Sequence, residues 1–99
     1  GIPRREFIFM KDFIDGIFFV RRKKIRKPVI NVGTGLDYSI KELTNIVKKI
    51  KNSNVKILWD SSKKDGSKKK LLNSKYLFSK GWRPKRNLTS GIKETLGLL

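Results

Sequence analysis

Val29-Ile30-Asn31-Val32-Gly33-Thr34-Gly35-Leu36-Asp37-Tyr38-Ser39-Ile40-Lys41-Glu42-Leu43 is the stretch whose reading decides the fold class. Val29 to Val32 is short and β-branched and predicts a strand, closed by the Gly33-Thr34-Gly35 turn. Ser39 and Glu42 have capping-box spacing, in which each satisfies a free N–H at the start of a helix. Ile40, Leu43, Ile46, Val47 and Ile50 then recur as one apolar stripe, with most of the lysines off it. This is the firmest helix in the sequence. Strand, turn and helix in that order predict a small α/β unit, with short strands and three or four helices.

The flanking segments extend the pattern. Ile2 to Phe9 is apolar and aromatic and reads as extended chain. Asp12 is placed to cap a helix bearing Phe13, Ile14, Ile17, Phe18 and Arg21 at helical spacing. The basic run Arg21 to Lys27 ends at Pro28 and suits a helix C-terminus. Asn52-Ser53-Asn54 breaks the second helix, and Val55 to Trp59 alternates as a strand. A polar loop follows from Asp60 to Lys70. Asn73 is placed to cap a short helix through Tyr76, Leu77 and Phe78 that Gly81 ends. Asn87 precedes a last helix carrying Leu88, Ile92, Thr95, Leu96 and Leu99. Trp59 and Trp82 both have apolar neighbours and read as core.

Composition narrows the chemistry. With 99 residues and 37% hydrophobic content the chain can build one modest core. It has no cysteine and no histidine. Disulfides and thiolate metal sites are therefore excluded, as are the commonest general base and zinc ligand. A cytoplasmic location fits. No apolar run reaches the roughly 20 residues of a membrane span, and no secretory signal pattern is present. The first residue is not methionine, so a longer reading frame is expected.

The net charge is +17, from 25 Lys and Arg against 8 Asp and Glu. One reading is a polyanion-binding surface, making the chain a small basic nucleic-acid-binding protein. The other is compositional drift in an AT-rich gene, consistent with abundant Lys, Ile and Asn and with no Ala or Gln. No zinc-finger or RNP-like signature supports the first.

Two stretches carry candidate ligand chemistry: Pro3-Arg4-Arg5-Glu6-Phe7 and Asp60-Ser61-Ser62-Lys63-Lys64-Asp65-Gly66-Ser67-Lys68-Lys69-Lys70-Leu71-Leu72. Each joins clustered cations to a turn-forming residue, which suits a phosphorylated ligand seated on a loop. Neither holds a nucleophile–base pair, a metal-ligand cluster or a glycine-rich dinucleotide loop. The Gly33-Thr34-Gly35 turn lacks a further glycine at helix entry and is a weak dinucleotide signal.

In this order, the segments Gly1-Ile2-Pro3-Arg4-Arg5-Glu6-Phe7, Ile30-Asn31-Val32-Gly33-Thr34-Gly35, Ser39-Ile40-Lys41-Glu42-Leu43, Asp60 to Gly66, Lys70-Leu71-Leu72 and Gly81-Trp82 resemble the C-terminal part of the GDP-L-fucose synthases. These are extended short-chain dehydrogenase/reductases. The Asn-Val-Gly-Thr-Gly piece is shared widely among sugar-nucleotide epimerases. The Asp-x-Ser-Lys-x-Asp-Gly loop followed by Lys-Leu-Leu is much more specific.

The resemblance implies that residues 1–99 form a C-terminal GDP-sugar-binding domain or fragment. The family's Rossmann NADP-binding domain and its catalytic Ser, Tyr, Lys, Cys and His would lie before Gly1. A complete family enzyme converts GDP-4-keto-6-deoxy-D-mannose to GDP-L-fucose by epimerisation and NADPH reduction. This chain would bind the GDP-sugar and no cofactor of its own, alongside a Rossmann domain or upstream chain, with no specific nucleic acid and no membrane.

By the same resemblance, Arg5 and Lys70 meet the diphosphate, and Asp65 accepts from ribose hydroxyls or the guanine edge. Read from the residues alone, Arg5 could instead pair with Glu6 or face solvent, Asp65 could be a turn residue before Gly66, and Lys70 could be solvated. Two departures stand out: Lys64 and Lys68 occupy positions where the family usually has proline, which leaves the loop less restricted.

Overall fold

The computed structural model describes residues 1–64 and 66–97. Its elements run β1 (Arg4–Glu6), α1 (Met10–Arg22), β2 (Asp37–Ser39), α2 (Ile40–Ile50), β3 (Lys69–Lys70), α3 (Lys75–Ser79) and α4 (Leu88–Thr95). The three short strands form one sheet in the order β2-β1-β3. β1 pairs antiparallel with β2, setting Arg5 opposite Tyr38, and parallel with β3, setting Arg5 opposite Lys70. Four helices around a small sheet are the α/β arrangement expected of the sequence.

Local signals set the helix starts. Ser39 accepts from the Glu42 amide at 3.0 Å while the Glu42 carboxylate accepts from the Ser39 amide, so the capping box forms as expected. Asn87 caps α4 by accepting from the Ser90 amide at 2.8 Å. The expected cap of α3 is displaced by one position: Ser74, not Asn73, is the N-cap residue and makes no side-chain cap bond, while Asn73 accepts from the Lys75 amide. Gly81, at φ +98°, ends that region in a conformation that favours glycine. The last helix stops at Thr95, and Leu99 lies outside the described residues.

The core is small. Phe19, Leu77 and Trp82 are buried together, with Ile8, Val20, Ile25, Ile30, Val32, Tyr76 and Phe78 packed around them. Gly16 makes this possible on α1: a Cβ there would stand 2.8 Å from Val32 Cγ1 and 3.0 Å from Trp82 Cζ2. Trp82 Nε1 donates to Asp15 at 2.9 Å, which gives the buried indole its partner.

Five further expectations are corrected. Asp12 does not cap α1, whose N-cap residue is Phe9. It is buried, and accepts from the Arg86 amide at 2.9 Å and from the Arg86 guanidinium at 3.0 Å. A buried carboxylate needs such a partner more than a helix end needs a cap. Glu94 takes the other side of Arg86, at 3.0 Å. The Arg86 pKa is raised by its bonds to Glu94 and Asp12, against the opposing effect of burial.

The stretch Val29 to Val32 is not a ladder strand. Its side chains alternate as a strand's do, with Ile30 and Val32 inward and Val29 and Asn31 outward, but it has no strand partner among the described residues. Val55 to Trp59 forms no strand either, and Trp59 is exposed, against the expectation that it is core. Finally, the stripe Ile14, Ile17 and Phe18 on α1 faces away from the core. The face turned inward carries Asp12, Gly16 and Phe19.

Candidate anion-binding site

Position 6 organises the site, although the sequence singled out position 5. The Glu6 carboxylate accepts from the Thr34 amide at 2.8 Å and the Gly35 amide at 2.9 Å through Oε2, and from the Leu72 amide at 3.0 Å through Oε1. It therefore ties the Gly33–Gly35 turn to the chain just beyond β3. The close approach needs a glycine, because a Cβ on Gly33 would fall 2.5 Å from Glu6 Oε2. Gly35 completes the turn at φ +76°. The amides of this turn are occupied by a carboxylate, which agrees with reading it as a turn rather than a phosphate loop.

Arg4 and Arg5 have opposite fates. Arg4 donates to Asp37 at 3.0 Å and to Glu42 at 3.0 Å, and Lys69 stands 3.6 Å from the other Asp37 oxygen. The hydrogen bond from Arg4 holds Asp37 below the ordinary carboxylate range, with Lys69 helping and burial opposing. Glu42 is lowered in the same direction, first by Arg4 and then by the Ser39 amide. This cluster is neutralised and structural.

Arg5 has no carboxylate partner among the described residues. Its Nη1 donates to the Arg4 carbonyl at 2.8 Å and the Ser67 carbonyl at 2.7 Å, which fastens the end of the polar loop to β1. A Cβ on Gly66 would lie 3.2 Å from Arg5 Nη2, so the loop crosses close to the guanidinium. Lys70 is the register neighbour of Arg5 and is exposed. It has no carboxylate partner among the described residues either. Two like charges opposed on adjacent strands repel, and an anion bridging them would relieve that repulsion.

The structure thus brings Arg5 and Lys70 together and excludes the pairing of Arg5 with Glu6. Asp65 lies outside the described residues. Nothing local in the sequence predicts the role of Glu6, because its amide partners Thr34, Gly35 and Leu72 lie 28, 29 and 66 positions away. A cavity of about 460 Å³ opens between Phe7, Phe9, Leu36, Tyr38, Leu43 and Ile92, and neither Arg5 nor Lys70 lines it. Among the described residues no cluster of Asp and Glu is arranged to hold a metal ion, and no helix is long and apolar enough to cross a membrane.

No family model matches the chain. Among curated proteins, a probable GDP-L-fucose synthase of rice (Oryza sativa subsp. japonica) is 39% identical over 95 residues, covering 96% of this chain and 29% of the rice protein. Among solved structures, a GDP-6-OMe-4-keto-L-xylo-heptose reductase of Campylobacter jejuni superposes with a TM-score of 0.85 at 32% identity, covering 96% of this chain and 30% of that one. This chain is a homologue of the C-terminal part of the GDP-L-fucose synthases. A GDP-mannoheptose C4 reductase of C. jejuni, solved with NADP bound, matches this fucose-synthase homologue with a TM-score of 0.81 at 33% identity over 99% of the chain and 32% of that protein. The chain therefore spans about 30% of the length of the relatives it matches. None of these three is described as a nucleic-acid-binding protein, and the basic-protein reading draws no support from them.

Proposed function

We propose that this chain is the GDP-holding portion of a GDP-sugar epimerase–reductase of the fucose-synthase kind. It forms a substrate domain that works with an NADP(H)-binding domain and binds no cofactor itself. The observation that carries the reading is the pairing of Arg5 with Lys70 across β1 and β3, two adjacent cations with no carboxylate partner among the described residues. A diphosphate supplies the missing counter-charge, and the guanidinium fork suits two of its oxygens. Asp65, in the loop that Arg5 fastens, is assigned to the ribose or guanine end.

The relatives support the nucleotide end in particular. Their sugars differ, being fucose, a methylated keto-heptose and a mannoheptose, while GDP is common to all three names. A segment shared among them suits the common part. In such an enzyme the chain binds and orients, because nucleotide binding energy fixes the reacting sugar near chemistry supplied elsewhere. The setting proposed with this role is cytoplasmic, and the reaction is the NADPH-dependent epimerisation and reduction of a GDP-4-keto-6-deoxy sugar.

Calorimetric titration of GDP into the wild type, Arg5→Ala and Lys49→Ala tests the reading. Arg5→Ala is expected to lose about 1.5–3 kcal/mol of binding, the worth of a charge-assisted contact. Lys49, exposed on α2, should change little. Equal losses in both variants would assign the attraction to diffuse positive charge and refute the site.

A further inference from the structure

The most regular apolar stripe of the chain is left incompletely packed. α2 carries Ile40, Leu43, Ile46, Val47 and Ile50 on one side, yet none of its residues is buried. Leu43 instead lines the cavity of about 460 Å³, across from Ile92 of α4 and beside Leu36 and three aromatic rings, Phe7, Phe9 and Tyr38. Protein interiors leave few voids larger than a water molecule. This one falls within the roughly 300–1,000 Å³ of small-molecule sites.

Its walls are tied from behind. Glu6 holds the Thr34 amide at 2.8 Å, and Asp12 holds the Arg86 amide at 2.9 Å, while neither carboxylate lines the cavity. Asn87 caps α4 through the Ser90 amide, and Gly91 lets that helix come close to Phe9, where a Cβ would stand 3.3 Å from the Phe9 Cβ. The space is therefore preformed, which spares a ligand the cost of ordering it.

The lining selects the occupant. No Asp or Glu lines the cavity, whereas Arg83, Lys85 and Arg86 do. Arg86 is neutralised by Asp12 and Glu94. Arg83 and Lys85 are exposed and have no carboxylate partner among the described residues, and the Arg83 guanidinium is steadied 4.4 Å from the centre of the Phe78 ring. The Thr34 and Thr95 hydroxyls donate to the Leu36 and Gly91 carbonyls, and the Asn87 oxygen is spent on its cap. A nucleobase edge would find few partners here, and unpaired polar groups are costly. We infer that the cavity is a second ligand site for a small aromatic anion, whose apolar ring lies among Phe7, Phe9 and Tyr38 and whose anionic group meets Arg83 and Lys85. It is distinct from the Arg5 and Lys70 pair and does not rest on the GDP-binding role.

The probe is anilinonaphthalene sulfonate, with phenylnaphthylamine as nearly the same ring system without the charge. Titrated into the isotopically labelled full chain, the sulfonate should saturate one site and shift the amides of Phe7 to Phe9, Leu36 to Tyr38 and Leu88 to Thr95. Arg83→Gln with Lys85→Gln should weaken the sulfonate by about tenfold or more, as loss of a charge-assisted contact does, and leave phenylnaphthylamine within about twofold. Leu36 is 60% exposed, so both Leu36→Glu and Leu36→Lys should fold. Both lose the same apolar contact, and the glutamate should weaken the sulfonate further by repulsion.

If the Arg83 and Lys85 variant fails to fold, the Leu36 pair carries the test alone. Absent or unsaturable binding of the sulfonate by the wild type would overturn the inference. An equal loss in Lys49→Gln with Lys51→Gln would assign the attraction to diffuse charge, and a loss in Phe18→Gln would place the probe on the exposed side of α1. Equimolar displacement by GDP would merge the cavity with the diphosphate site. Binding seen only after residues 98 and 99 are removed would make the chain's own end the occupant. Each of these results refutes the second site.

Discussion

Removing the Glu6 carboxylate should cost this chain more than removing any exposed charge. Glu6→Ala deletes the acceptor of three backbone N–H groups, at 2.8, 2.9 and 3.0 Å, together with a weaker contact from the Thr34 hydroxyl at 3.3 Å. Hydrogen bonds to a charged group are worth about 1.5–3 kcal/mol each, and those reached by water less. Two of the three amide contacts are part-buried and the Leu72 contact is exposed. The sum is therefore about 3 kcal/mol, a large share of the roughly 5–15 kcal/mol that holds a typical domain.

Glu6→Gln should lose about half as much, because its oxygen can still serve the Thr34–Gly35 pair while its NH₂ faces the Leu72 amide. Urea denaturation followed by Trp82 fluorescence gives the size of the loss. Amide exchange at Thr34, Gly35 and Leu72 gives its location. An alanine variant within about 0.5 kcal/mol of the wild type, the ordinary range of surface changes, with those amides still protected, would refute the reasoning.

Three further outcomes follow from the geometry. Asp37 and Glu42 are held below the ordinary carboxylate range, chiefly by Arg4, so their contribution to stability is present above that range and is lost as pH falls through their lowered values. Arg4→Gln should move the acid loss of β1–β2 amide protection to higher pH, read by exchange across an acid titration. Leu77 is fully buried, so Leu77→Ala should destabilise the chain by about 2–5 kcal/mol in the same urea assay. The slowest amides should lie in α1 near Phe19 and around Trp82, and not in α2, which buries no residue.

Legibility in the sequence followed the range of each interaction. α2 and α4 were readable because their caps act over three residues: Ser39 on Glu42, and Asn87 on Ser90. Asp12 was misread because its partner Arg86 is 74 positions away. Val29 to Val32 has strand chemistry, but a strand also needs a neighbour, and none is available among the described residues. On α1 the periodicity found a real apolar stripe, yet periodicity cannot say which of two apolar faces meets the chain's own core. Gly16 decides that, by admitting Val32 and Trp82. At the site, resemblance singled out Arg5 and Lys70, while their register and the Glu6 clamp depend on contacts over more than sixty positions.

The central claim, that Arg5 and Lys70 form one diphosphate site, is tested most directly by titrating GDP into isotopically labelled chain and mapping the amide shifts. Saturable shifts concentrated at Arg4 to Glu6 and Ser67 to Leu72, absent in Arg5→Ala, are the predicted result. Shifts spread over Arg21 to Lys27 and Lys48 to Lys51, persisting in Arg5→Ala, would contradict it.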